Sequence, residues 1–159
     1  PLAARHDVLV FRSEPLETDV EIVGPLRAVL WASSSAVDTD FTVKLIDEYP
    51  PVQDYPDGFA LNLTDSILRA RYRDSRETSE FLNPGQVYRF NIVMYPVGNI
   101  FAPGHRIRLD VSSSNFPRFD INPNTGEPLG RHTRSVVAQN QIFHDAEHPS
   151  HLELSVRNG

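Results

Sequence analysis

Short runs of alternating apolar and polar residues, each closed by glycine, proline or asparagine, restrict the fold of this chain more than any other feature. The best of them begins at the Pro103-Gly104 turn. Ile107, Leu109 and Val111 alternate with Arg106, Arg108, Asp110 and Ser112, the two-residue period of a strand with one buried face. Ser112 to Asn115 then offers side chains that bond nearby backbone, and Pro117 cannot donate to a ladder, so the strand gives way to a loop rich in Asp, Asn, Pro and Gly. After the Asn83-Pro84-Gly85 turn the pattern recurs, with Tyr88, Phe90, Ile92 and Met94 set against Arg89, Asn91 and Val93.

The remaining runs extend the same reading. Val8, Leu9, Val10 and Phe11 are apolar on both faces and predict a strand covered on both sides. Val20–Val23 predicts a short strand closed by Gly24-Pro25, and Leu26–Ser33 another, with Leu26, Ala28, Leu30 and Ala32 on one face. Trp31, on the other face, is expected to pack in the core; a carbohydrate platform is the sharper alternative. Val37–Tyr49 follows, carrying Phe41, Val43 and Leu45 on one side. Ala60–Leu63 and Ile67–Arg73 predict two strands around Thr64-Asp65-Ser66. Val136–Phe143 and His151–Val156 complete the set, with Leu152, Leu154 and Val156 inward. Only Thr133–Gln141 is ambiguous between strand and helix. Roughly ten short strands separated by turn signals indicate an all-β sandwich or barrel.

At 159 residues, 40% apolar and 23% charged, the chain has the dimensions of one globular domain. A net charge of −6 without a clustered basic stripe argues against nucleic acid and against an anionic membrane surface as partners. The absence of cysteine fits a reducing, cytoplasmic compartment. Pro1 to His6 carries no apolar signal core and no initiator methionine, so the chain is expected to be a piece of a longer polypeptide.

No G-x-S-x-G occurs, so there is no nucleophile elbow, and the serine clusters Ser33–Ser35 and Ser112–Ser114 sit at predicted strand ends. His144, His148 and His151 invite a metal reading, but Pro149 and the lack of helical spacing oppose a preformed site. Asp120 to Gly126 loosely resembles a calcium loop, with its glycine one place late and Arg131 where a bidentate glutamate belongs. No metal and no cofactor is assigned. Arg69, Arg71 and Arg73, at strand spacing, are expected to project from one sheet face. That face is either solvated or a docking surface for another domain. Exposed aromatics, Tyr49, Tyr55, Phe59, Phe116 and Phe119, keep a free-standing carbohydrate-binding module open as an alternative.

Four ordered stretches carry a resemblance to a known family: Ser34 to Asp47, Leu63 to Arg73, Pro103 to Asp120 with Asn124-Thr125-Gly126, and His148 to Leu152. Together they closely resemble the C-terminal domain of the X-Pro dipeptidyl-peptidase family, which includes cocaine esterase and α-amino acid ester hydrolases. The resemblance implies a jelly-roll β-sandwich, similar to galactose-binding-like domains, attached to an α/β-hydrolase domain of the same polypeptide. In that family the serine, acid and histidine that act through an acyl-enzyme lie in the hydrolase domain, so no catalytic residue is carried over to this chain. The jelly roll helps enclose the active site. Ser113, Ser114, Asn115, Phe116, Phe119 and Asp120 are the loop residues expected to contact the catalytic domain, together with the arginine face. The chain is expected to begin after the first strands of the family's domain, which would leave an edge unpaired and leaves a homo-oligomer open.

Overall fold

The structure, a computed structural model, describes residues 5–128 and 130–157. Among the described residues there are eight strands: β1 (Val8–Arg12), β2 (Val20–Ser34), β3 (Asp40–Tyr49), β4 (Phe59–Arg69), β5 (Tyr88–Phe101), β6 (Arg106–Ser112), β7 (Asn140–Phe143) and β8 (His151–Val156). They form two antiparallel sheets. The front sheet has the order β1-β6-β3-β4. In the back sheet β2 is central, with β5 along one side and β8 and β7 in succession along the other. The all-β sandwich expected from alternation is the observed architecture.

The alternating positions meet between the sheets. Phe41, Val43 and Leu45 of β3 and Leu109 and Val111 of β6 face Leu26, Ala28 and Leu30 of β2 and Phe90, Ile92 and Met94 of β5 in one core. The Phe41 and Phe90 rings lie 4.7 Å apart and join the two layers, the separation at which aromatic pairs add to simple burial.

Several expected boundaries give way to longer strands. Val20–Val23 and Leu26–Ser33 are one strand, because Gly24, at φ 120, absorbs a register shift against both neighbours without ending the ladder. Phe59–Arg69 is likewise continuous through Thr64-Asp65-Ser66, whose polar groups find tertiary partners: Ser66 Oγ donates to the Val93 carbonyl and Asp65 accepts from Asn115. β5 runs through Pro96 to Phe101. Trp31 is only half-buried and meets His148 edge to face at 5.4 Å, outside the core. β1 is covered on one side less than expected, since Leu9 and Phe11 remain 46% and 38% exposed at the open margin between the sheets. Among the described residues no helix is long and apolar enough to cross a membrane.

Candidate domain-docking surface

Among the described residues between β6 and β7 there is no regular structure, yet this segment is tied down at several points. Asp38 and Asp40, at the start of β3, are the main anchors. Both carboxylates are buried. Asn122 donates from Nδ2 to Asp38 Oδ2 at 3.0 Å and to Asp40 Oδ1 at 2.8 Å. Arg69 grips Asp40 through Nε and Nη2 at 2.8 and 3.0 Å, a bidentate fork. Those bonds raise the Arg69 pKa above its ordinary value, with burial opposing them. Arg71 donates its Nε to Asp38 Oδ2 at 2.8 Å and its backbone N–H to Oδ1 at 3.0 Å.

This pull on Arg71 explains the main departure from expectation. After Arg69 the chain leaves the sheet as a 3-10 turn over Ala70–Tyr72, so Arg69, Arg71 and Arg73 do not form an exposed row. Arg71 lies beneath the surface, over the Phe81 ring at 4.9 Å, and reaches the Glu127 carbonyl with Nη2 at 3.3 Å. The Arg73 side chain is 3% exposed, donates to the Glu80 carbonyl and carboxylate, and covers Tyr88 at 4.5 Å. Arg69 and Arg71 brace the loop from within, while Arg73 holds its own turn to Glu80.

A second brace comes from Asp65 in β4, whose Oδ2 accepts from Asn115 Nδ2 at 3.0 Å and whose Oδ1 forms an ion pair with Arg118 Nη1 at 2.6 Å without hydrogen-bond alignment. Asn140 adds a third, donating to Thr39 and Ser113. Further along, Asn122 Oδ1 accepts from the Asn124 backbone, Asn124 Nδ2 donates to the Val136 carbonyl, and Gly126 passes so close that an added Cβ would lie 3.1 Å from Val37. Glu127 accepts from the Thr125 and Thr133 hydroxyls, which holds its carboxyl below the usual glutamate range.

Phe116 is the residue these braces present. It is 65% exposed, and Ile121 beside it is 60% exposed. Ser113, Ser114 and Asp120 are also exposed, whereas Asn115 and Phe119 are half-buried, Phe119 under the Arg118 guanidinium at 5.7 Å. The expected aromatic set divides into two. Tyr49, Tyr55 and Phe59 pack against one another at the far end of β3, with centroids 5.4 to 5.9 Å apart, and do not join Phe116 and Phe119 in one platform. The histidines diverge as well: His144 meets Phe11, His148 meets Trp31 and Asp145, and His151 meets Glu153. Asp38, Asp40, Asp65 and Asn122, which organise the surface, carry no sequence signature beyond two aspartates flanking Thr39.

The pull on Glu127 has a consequence for pH. A carboxyl lowered in the folded state contributes stability that is present above its unfolded pKa and lost as pH falls through the folded value. Acidification through and below the ordinary glutamate range is therefore expected to free Thr125 to Thr133 before the strands open. Backbone amide exchange followed across a pH series checks this; protection in the segment that stays constant to the point of global unfolding would contradict it.

The fold and the braced loop define an antiparallel sandwich that presents Phe116 and Ile121 at its surface. Residues 1–153 match the family of X-Pro dipeptidyl-peptidase C-terminal non-catalytic domains, and the chain belongs to that family. It is similar to cocaine esterase from Rhodococcus sp. (strain MB1 Bresler), 44% identical over 158 residues, which are 98% of this chain and 26% of that protein. Among solved structures it resembles an aminopeptidase from a marine-sediment Thaumarchaeota archaeon, with a TM-score of 0.92 and 35% identity over 99% of this chain and 27% of that one. It also resembles an α-amino acid ester hydrolase, with a TM-score of 0.92 and 36% identity over 98% of this chain and 26% of the other. The chain thus spans about a quarter of the length of the relatives it matches.

Proposed function

We propose that this chain is a single sandwich domain at the C-terminal end of a cytoplasmic serine hydrolase, that it packs on an α/β-hydrolase catalytic domain of the same polypeptide, and that its loop after β6 helps shape the active site. The carrying observation is Phe116: a large apolar ring held two-thirds in water by a loop that Asn122, Asn115 and Arg118 tie to the buried carboxylates of Asp38, Asp40 and Asp65. Disordered loops do not invest buried carboxylates in this way, and an aromatic ringed by polar groups is the pattern of an interface hot spot. Ser113, Ser114, Asn115 and Asp120 supply the polar surround, Phe119 supports the turn, and Arg69 and Arg71 act indirectly by bracing it, whereas Arg73 is tied to Glu80 and Tyr88 away from the loop. The relatives named an esterase, an ester hydrolase and an aminopeptidase support cleavage of a carboxylic ester or amide by the parent.

Phe116→Ala tests the reading. In the parent polypeptide it is expected to cost about 2 kcal/mol or more of docking free energy, seen as a lower thermal midpoint or weaker substrate binding. The same change in the 159-residue chain should leave its unfolding curve in place. An unaltered parent enzyme would overturn the proposal.

A further inference from the structure

The outer face of the front sheet carries Lys44, the only lysine in the chain against fourteen arginines. It lies on the side of β3 opposite Phe41, Val43 and Leu45, paired in register with Asp110 of β6 and Asp65 of β4. Both neighbours are already matched. Arg108 takes both Asp110 oxygens at 2.7 Å, and Arg118 with Asn115 takes Asp65. Around them Arg12 pairs with Glu48 and Arg5 with Asp7. Every arginine near Lys44 thus has its own carboxylate, while Lys44 makes no ion pair among the described residues. In a chain of net charge −6, this is a local positive surplus.

Lys44 also lines a cavity of about 340 Å³, shared with Arg5, Asp110, Asn115, Phe116 and Ile121. Asp7, Ser112 and Ser114 complete a mixed lining in which Val8, Phe116 and Ile121 are the apolar part; an ammonium partly shielded beside these groups attracts an incoming anion, and complementary charge fixes register at an interface. Resting on the docking reading above, we propose that Lys44 receives an aspartate or glutamate side chain of the catalytic domain, whose neighbouring apolar groups cover Phe116 and Ile121. Charge complementarity favours a carboxylate over any other group. Arg5 and Asp7, themselves paired, form one wall.

Because Lys44 is the sole lysine of the domain, its amine can be followed by mass spectrometry without a mutation. Acetylation by a succinimidyl acetate is expected to be about tenfold slower in the parent polypeptide than in the 159-residue chain, and a carbodiimide should join Lys44 to an aspartate or glutamate of the catalytic domain. Equal labelling in both forms, or coupling only to Asp65 or Asp110, would overturn the inference. So would protection of the 159-residue chain by millimolar acetate alone, which would make the recess a site for small carboxylates. If Lys44 labels freely while Phe116→Ala still weakens the parent enzyme, this inference fails and the docking proposal stands; if both effects are missing, the docking proposal itself has failed.

Discussion

Arg71→Met is expected to lower the stability of the chain by about 3–5 kcal/mol, the cost of breaking a buried pair from one side. Asp38 is fully buried and the Arg71 side chain nearly so, at 6%, so solvent cannot replace the lost guanidinium. Methionine keeps much of the apolar stem over Phe81, which confines the loss mainly to charge and hydrogen bonds. The Asp38 carboxylate would retain the backbone N–H of residue 71 and the amide of Asn122, donors too weak to offset a buried negative charge. Adding Asp38→Asn to the variant should therefore recover part of the loss, because the amide removes that charge. Urea denaturation of the two single variants and the double variant measures the coupling. An Arg71→Met loss below about 1 kcal/mol would place the pair with surface ion pairs and deprive the loop of its proposed brace.

Where side-chain period alone governs, the chain is legible. β6, β8 and the first half of β5 are evident from alternation, and Phe41, Val43, Leu45, Phe90, Ile92 and Met94 occupy the core that this period assigns to them, whereas Val156, expected inward at the end of β8, is 51% exposed. Reading fails where a distant partner overrides the local cue. Gly24-Pro25 looks like a stop, but a bulge with neighbours on both sides absorbs it. Thr64-Asp65-Ser66 looks like a turn, but Asp65 is drawn into the sheet by Asn115 and Arg118, fifty or so residues away. Arg69 to Arg73 keeps a strand's spacing, and only the Asp38 carboxylate, invisible as a partner in one sequence, turns it into a 3-10 segment with Arg71 inside. The segment after β6 is legible as a loop, from its length and composition. That it is braced, and that the sole lysine faces a recess, depends on pairings between strands far apart in the chain.

Phe90→Ala and Phe116→Ala should separate the two roles an aromatic ring can play here. Phe90 is wholly buried and stacks at 4.7 Å on Phe41 of the opposite sheet. Its truncation removes a full side chain's transfer energy and leaves a cavity between two β-layers that cannot close independently, a loss of about 3–5 kcal/mol. Against a total stability of roughly 5–15 kcal/mol, that is enough to shift the thermal midpoint of the 159-residue chain by many degrees or to abolish cooperative unfolding. Phe116, 65% exposed, has little left to lose within the chain, and its removal should fall inside the roughly 0.5 kcal/mol range of surface substitutions. On the docking proposal the relation changes in the parent polypeptide, where Phe116→Ala would expose a partner's apolar surface as well. Thermal or urea unfolding of both variants in both contexts tests the argument. A Phe116→Ala loss in the 159-residue chain comparable to that of Phe90→Ala would show that the ring packs within its own domain, and the exposed loop would then have no apolar anchor to offer a neighbour.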